Sequence, residues 1–211
     1  IGSGNKTVKV AFNLEDWEYS FVAGIPDGVP TVSKDTLESL KNIEHVQGVT
    51  LYRSRQSYQA IFRNNTSLDG GYIMGVNQDY FSIAGLAIKQ GRGITEDDNK
   101  KFRQVAVLDE TSAKLLFGEE NPIGKTIEIS STPFTIVGVC ADKETFEPTM
   151  ESIDDYHTYN QSTGSKVYVP SESWPIFYQF DEPQNALLKV DATSNMTRVG
   201  KEAAQILNTN V

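Results

Sequence analysis

The segment Phe134-Thr135-Ile136-Val137-Gly138-Val139-Cys140-Ala141 carries apolar residues at both alternating positions of a strand. Successive side chains of a strand point to opposite faces, so this segment needs cover on both sides and belongs in the middle of its sheet. Such a fold needs enough chain to supply that cover. With 211 residues, 38% hydrophobic and 22% charged, the chain has room for one large domain or two small lobes and is folded rather than disordered.

Helical periodicity occurs near both chain ends. Val8, Val10 and Phe12 alternate as a half-buried strand, and residues 13–32, with Gly24, Pro26, Gly28 and Pro30, read as a loop. Ser33 is placed to cap a helix in which Leu37, Leu40, Ile43 and Val46 recur, with Gly48 as its stop. Residues 49–63 read as extended, and Asn64–Gly71 as a turn. Tyr72, Met74 and Val76 open another strand, and Gln78–Ala84 a short helix, with Gly85 and Gly91 as punctuation after it. Val105–Leu108 is a strand, and Asp109 caps a helix over Glu110–Phe117 that stops at Gly118. Lys125–Ser130 and Phe134–Ala141 are two strands joined by Ser131-Thr132-Pro133. Residues 142–165 read as a long acidic loop. After it come a strand at Lys166–Pro170, a short helix near Ser173–Gln179 and a strand at Ala186–Val190. In a last helix capped by Ser194, Met196, Val199, Ala203 and Ile206 form one stripe. The expected class is α+β with two lobes. A terminal α/β lobe spans 1–65 and 166–211, and a mostly β lobe is inserted over 66–165.

Little in the sequence points to bond-making chemistry. The net charge of -9 repels phosphate backbones, which speaks against nucleic acid as a partner. The lone cysteine, Cys140, has no intrachain disulfide partner and reads as a small buried hydrophobe. His45 is expected at the end of the first helix, where the dipole favours positive charge. His157 lies among Glu151, Asp154 and Asp155, at a spacing that matches no strong metal site. Gly118 to Thr126 imitates a phosphate-binding loop, but five residues rather than four precede its Gly-Lys pair. It is also flanked by a helix before and a strand after, the reverse of what phosphate binding requires. Trp17, Tyr19 and Phe21, and later Trp174, Phe177, Tyr178 and Phe180, are aromatic clusters expected in packing. No catalytic, cofactor or metal residues are assigned.

From Gly75 to Ala141 an ordered series of short segments appears. Gly75-Val76-Asn77-Gln78-Asp79-Tyr80-Phe81 leads through Gly85 to Gly91-Arg92. Val105-Ala106-Val107-Leu108-Asp109-Glu110 leads to Leu116-Phe117-Gly118. Pro122-Ile123-Gly124-Lys125-Thr126-Ile127 and Pro133-Phe134-Thr135-Ile136-Val137-Gly138-Val139 complete the series. In order and spacing it resembles the MacB-like periplasmic core domain of MacB/FtsX-like ABC transporter permeases. Twelve residues carry the resemblance as structural determinants: Tyr80, Phe81, Gly85, Gly91, Arg92, Phe117, Gly118, Pro122, Ile123, Gly124, Lys125 and Gly138.

The resemblance implies a domain on the outer face of the cell membrane, between two membrane helices of a permease. The implied partners are the rest of the permease, a second permease copy, a cytoplasmic ATPase acting through the permease, and an adaptor protein. The implied role is to relay ATP-driven motion and dock partners during export of peptides, lipoproteins or drugs. The loop at 142–165 and the Gly/Pro-rich loop after the first strand depart from the family pattern. Two alternatives stand beside this reading: a substrate- or peptide-sensing domain of such a transporter, and a freestanding secreted enzyme.

Overall fold

The computed structural model describes residues 7–10, 32–56, 61–143, 165–176 and 184–209. The loop expected over 13–32 apart from Val32, nearly all of the acidic loop, His157, and the aromatics Trp17, Tyr19, Phe21, Phe177, Tyr178 and Phe180 lie outside the described residues.

Short β-formers between turn residues produce most of the architecture. The strands are β1 (Thr7–Val10), β2 (Val46–Gln56), β3 (Ile61–Arg63), β4 (Thr66–Ser67), β5 (Tyr72–Val76), β6 (Leu86–Gly91), β7 (Val105–Asp109), β8 (Thr126–Ile129), β9 (Thr132–Asp142), β10 (Lys166–Pro170) and β11 (Asn185–Val190). The helices are α1 (Lys34–Lys41), α2 (Tyr80–Ile83), α3 (Glu96–Lys100), α4 (Glu110–Phe117) and α5 (Met196–Thr209), with a 3-10 turn at Ser171–Ile176. The pairing order is β1-β11-β2-β5-β10-β7-β9-β8-β3-β4, and β6 joins β9 beside this path.

The strand expected to be central is central. β9 pairs with β7 in parallel, with β8 along its first half and with β6 along its second. Ile136, Val139 and Cys140 are buried. Ser130 and Ser131, both in the left-handed region at φ 48° and 67°, make the two-residue hairpin between β8 and β9. Pro133, expected in that turn, is instead inside β9 opposite Glu128.

Two of the three expected N-caps form, while Ser194 lies inside a 3-10 turn, Thr193–Asn195, that runs into α5. The Ser33 hydroxyl accepts from the Thr36 amide at 3.2 Å, and Asp109 Oδ1 accepts from the Ser112 amide at 2.7 Å. Each satisfies one of the amides that a helix start leaves without an intrahelical partner. Three other local expectations are corrected. α1 ends at Lys41, so Val46 and Gly48 are strand residues rather than the last turn and stop of a helix. His45 is four residues past α1 in a left-handed turn at φ 75°, not at the helix end. Between the punctuating glycines at 85 and 91 runs a full strand, β6.

Apolar burial divides into three clusters. One holds Leu40 of α1 and Val199, Ala203 and Leu207 of α5 against Val49, Ala186, Leu188 and Val190. Another gathers Tyr52, Met74, Val76, Tyr80, Phe81, Val107, Cys140 and Tyr168. A third packs α4 residues Leu116 and Phe117 with Ile61, Ile127, Phe134 and Trp174. The clusters are joined by β2, whose Tyr52 pairs with Asn185 of β11 and whose next residue, Arg53, pairs with Gly75 of β5. Ile61–Arg63 and Lys166–Pro170, placed by sequence with the terminal lobe, are hydrogen-bonded to strands of the middle segment: β3 to β8, and β10 between β5 and β7.

Candidate functional site

The residues of the sequence series converge on three places, and each has a physical reason to be what it is. The first is the aromatic knot around α2. Asn77 Oδ1 accepts from the Asp79 amide and from the Thr50 hydroxyl of β2, which starts the turn into α2. Tyr80 then lies edge-on to Tyr52 at 5.6 Å, and Phe81 edge-on to Tyr168 at 5.2 Å. Burial, then the neighbouring Tyr52 and Cys140, push the Tyr80 phenol far above its ordinary range. Gly85 ends this turn at φ 71°, and its carbonyl accepts from the Lys143 amide.

The second place is a crossing of two strands. Gly91 of β6 faces Gly138 of β9. A Cβ on Gly138 would lie 2.0 Å from the Arg92 carbonyl oxygen, and one on Gly91 would lie 2.0 Å from the Val137 carbonyl oxygen. Neither position tolerates a side chain, because the obstacle is backbone. Gly91 also holds φ 65°, a conformation that glycine adopts without strain. The close approach directs Arg92 toward the start of α3. There its guanidinium donates to both oxygens of Asp98, at 2.6 and 3.1 Å, while Arg103 donates to Oδ1 at 3.2 Å. Asp98 is fully buried and closes a capping box with Thr95. Burial alone would raise its pKa, but hydrogen bonds from Arg92, Thr95 and Arg103 bring it down to about 2. Asn99 extends the cluster by donating to the Val76 carbonyl and accepting from the Glu172 amide.

The third place is the end of α4. Gly118 terminates the helix at φ 61°. The Pro122 carbonyl accepts from the Lys125 amide across a turn whose third residue, Gly124, has φ 82°. The Gly124 amide donates to the Ile136 carbonyl, and the Ile136 amide to that of Lys125, so the turn is fastened to β9. Phe117 lies 4.2 Å beneath the Arg63 guanidinium, which also donates to the Leu116 carbonyl and pairs with Glu120. The segment imitating a phosphate loop is therefore a helix-to-strand connection, with Glu120 held by Arg63 and Lys125.

The second and third places border one open groove of about 850 Å³. Gly91, Gly118, Pro122 and Ile123 line it, with Lys89 and Lys114 at its margins. Sequence reasoning missed Asp98 and Arg103; the Thr95-x-x-Asp98 pattern was the available signal. Among the described residues no group of three or more His, Cys, Asp or Glu is arranged to hold a metal ion. No helix there is long and apolar enough to cross a membrane.

Asp109 and Cys140 lie opposite each other at the far end of β7 and β9. Burial raises the Asp109 pKa, although its oxygens accept from the Ser112 and Lys166 amides. Burial, with the charges of Asp109 and Asp142, pushes the Cys140 thiol up to about 12, so it is a protonated packing group.

Comparison with known proteins gives a consistent result. Residues 5–206 match the family described as MacB-like periplasmic core domain. The chain is 29% identical over 212 residues to the uncharacterized ABC transporter permease YvrN of Bacillus subtilis, covering 99% of this chain and 49% of that protein. The chain thus spans about half the length of this relative. The crystal structure of the periplasmic region of MacB from Actinobacillus actinomycetemcomitans superimposes with a TM-score of 0.65 and 25% identity, covering 98% of this chain and 85% of that one. The extracellular domain of the noncanonic ABC-type transporter YknZ from Gram-positive bacteria shares the fold, with a TM-score of 0.61, 21% identity, and coverage of 84% and 83%. The chain belongs to the MacB-like periplasmic core domain family, as an extracytoplasmic domain of a MacB-like ABC transporter permease.

Proposed function

We propose that this domain relays ATP-driven movement of a permease to the outer face of the membrane and docks partner proteins there during export. The observation that carries the reading is the unbroken pairing path from β1 to β4, in which β2 leaves one layer and enters the next between Tyr52 and Arg53. A hydrogen-bonded sheet resists stretching, so displacement of the layer holding β1 and α5 shifts the far layer as a body. The terminal layer, built from β1, α1, β11, α5 and the first half of β2, acts as the base, and the middle segment as the arm. The open groove beside Gly91 and Ile123 is shaped to receive a protein surface rather than to enclose a small substrate. In the assembled transporter two copies face each other, driven by a cytoplasmic ATPase.

The test uses the full-length permease with its ATPase. A spin label at the exposed Thr111 of α4, one per copy, reports the distance between the two arms by pulsed EPR. Trapping the ATPase with nucleotide is expected to change that distance by several ångströms. A distance indifferent to nucleotide state removes the relay role.

A further inference from the structure

We propose that the cleft beside the first half of β2 is a binding site for a free short peptide, held antiparallel to β2 with its carboxylate at Lys41 and its amino terminus at Asp79. The relay role above does not enter the argument.

The two flanks of β2 are filled differently. β11 pairs with it from Val46 to Tyr52, whereas β5 takes the opposite flank only from Arg53 to Gln56. From Val46 to Val49 that opposite flank has no strand beside it among the described residues. Alternate residues of a strand turn their amide and carbonyl toward a given flank, so this stretch presents backbone donors and acceptors that no strand takes up. A cleft of about 370 Å³ opens along it, within the range of small-molecule sites. Val46 to Val49 form one wall together with Lys41 at the end of α1, and Asp79, Ser82 and Ile83 form the other. The Val46 amide donates to the Ile43 carbonyl, which keeps Lys41 at the Val46 end. Asn77 Oδ1 accepts from both the Thr50 hydroxyl and the Asp79 amide, which keeps Asp79 at the Thr50 end. Opposite charges therefore mark the two ends of the cleft.

Folding alone does not account for these groups. Asp79 stands at the start of α2 but makes no capping hydrogen bond, and among the described residues its exposed carboxylate has no partner. Lys41 has the exposed Glu38 at 3.6 Å, a surface pair that exchanges readily. The register with β11 shifts here: Gly48 faces Lys189 and Val46 faces Val190, so Gln47 is a bulged residue with no partner in β11. A bulge re-aims a side chain and ends regular pairing, so the cleft takes a few residues of peptide rather than a long strand. At roughly 3.4 Å per residue, an extended peptide of about three or four residues spans the open stretch. Its ammonium faces Asp79 and its carboxylate faces Lys41, so it runs from the Thr50 end to the Val46 end, opposite to β2. Between the ends its main chain meets the free flank of β2 and the Gln47 amide. The two walls belong to the terminal layer and the middle segment, so the bound peptide bridges them.

The test is titration calorimetry of the full-length permease with trialanine and tetraalanine, each as the free zwitterion, the N-acetylated form and the C-terminal amide. A free peptide is expected to bind, and either block to weaken it on the order of 10-fold. In Asp79→Asn acetylation is expected to cost nothing further, and in Lys41→Gln amidation is expected to cost nothing further. Both side chains are exposed, so the variants keep the fold, which their urea midpoints check. Absence of binding by both free peptides overturns the proposal. So does a block that leaves binding to the parent unchanged, or one that weakens binding equally in the parent and in the matching variant. A permease that moves on nucleotide trapping but ignores the peptides loses this site and keeps the relay role.

Discussion

Replacing Gly138 with alanine tests the strand crossing directly. The added Cβ meets the Arg92 carbonyl oxygen at 2.0 Å and its carbonyl carbon at 2.9 Å. Contact under 3 Å with backbone cannot be relieved by rotating a side chain, so β6 and β9 must separate locally and disturb the Arg92–Asp98 pair. Overpacking of this kind costs about 1–3 kcal/mol, and an immovable obstacle puts Gly138→Ala at about 3 kcal/mol. Gly91→Ala meets the Val137 oxygen at the same 2.0 Å and adds left-handed strain at φ 65°. That strain is roughly 1–2 kcal/mol more, for a total of about 4 kcal/mol. Gly124→Ala is the control: φ is 82° but nothing lies within 4 Å of its Cβ, so it loses only about 1 kcal/mol. Urea unfolding should therefore rank the variants Gly91, Gly138, Gly124 in decreasing damage. Thermal midpoints for a domain of this size fall by roughly 2–4 °C per kcal/mol. A Gly138→Ala protein within about 0.5 kcal/mol of the parent refutes the crossing.

Four further outcomes follow from the same geometry. Asp98 has its folded pKa depressed to about 2, so its contribution of about 2 kcal/mol is present above the unfolded value near 4 and is lost as pH falls toward 2; acid titration of the Asp98→Asn variant should lack that component. Asp109 has the opposite sign: its raised pKa makes its contribution greatest below the unfolded value and lost as pH rises through the folded one, which carbon NMR of its carboxyl checks as a midpoint above that of an exposed aspartate. The buried Cys140 should react with a thiol reagent only through global opening, so labelling rates in urea should track the unfolding equilibrium. Trp174→Ala, which empties a fully buried site packed on Gly75, should cost about 4 kcal/mol in the same urea assay.

Much of the frame was legible because local rules and tertiary packing agreed. Ser33 and Asp109 are caps by side-chain chemistry alone, and the two-sided apolarity of residues 134–141 forces a central strand. Where the reading failed, a local signal was overridden. Gly48 reads as a helix stop, yet it pairs with Lys189 inside β2. β6 escaped notice because its second half, Lys89–Gly91, is exposed and lacks alternation. α3 has five residues and no apolar period, and is held by its capping box and two arginines rather than by a buried face. Most of the site was visible only as a family pattern. The reason for Gly91 and Gly138 is a backbone approach between residues 47 positions apart in sequence, which no periodicity reveals.

The claim that movement passes through the domain as a rigid body is tested most directly within one copy. Labels at the exposed Lys201 of α5 and Thr111 of α4 span the base and the arm, and the buried Cys140 stays unlabelled. In the assembled transporter the distance between them is expected to stay narrow and unchanged through nucleotide binding, trapping and release. A distribution that broadens or shifts with nucleotide state would show the sheet bending at Tyr52 and Arg53, and would contradict the account.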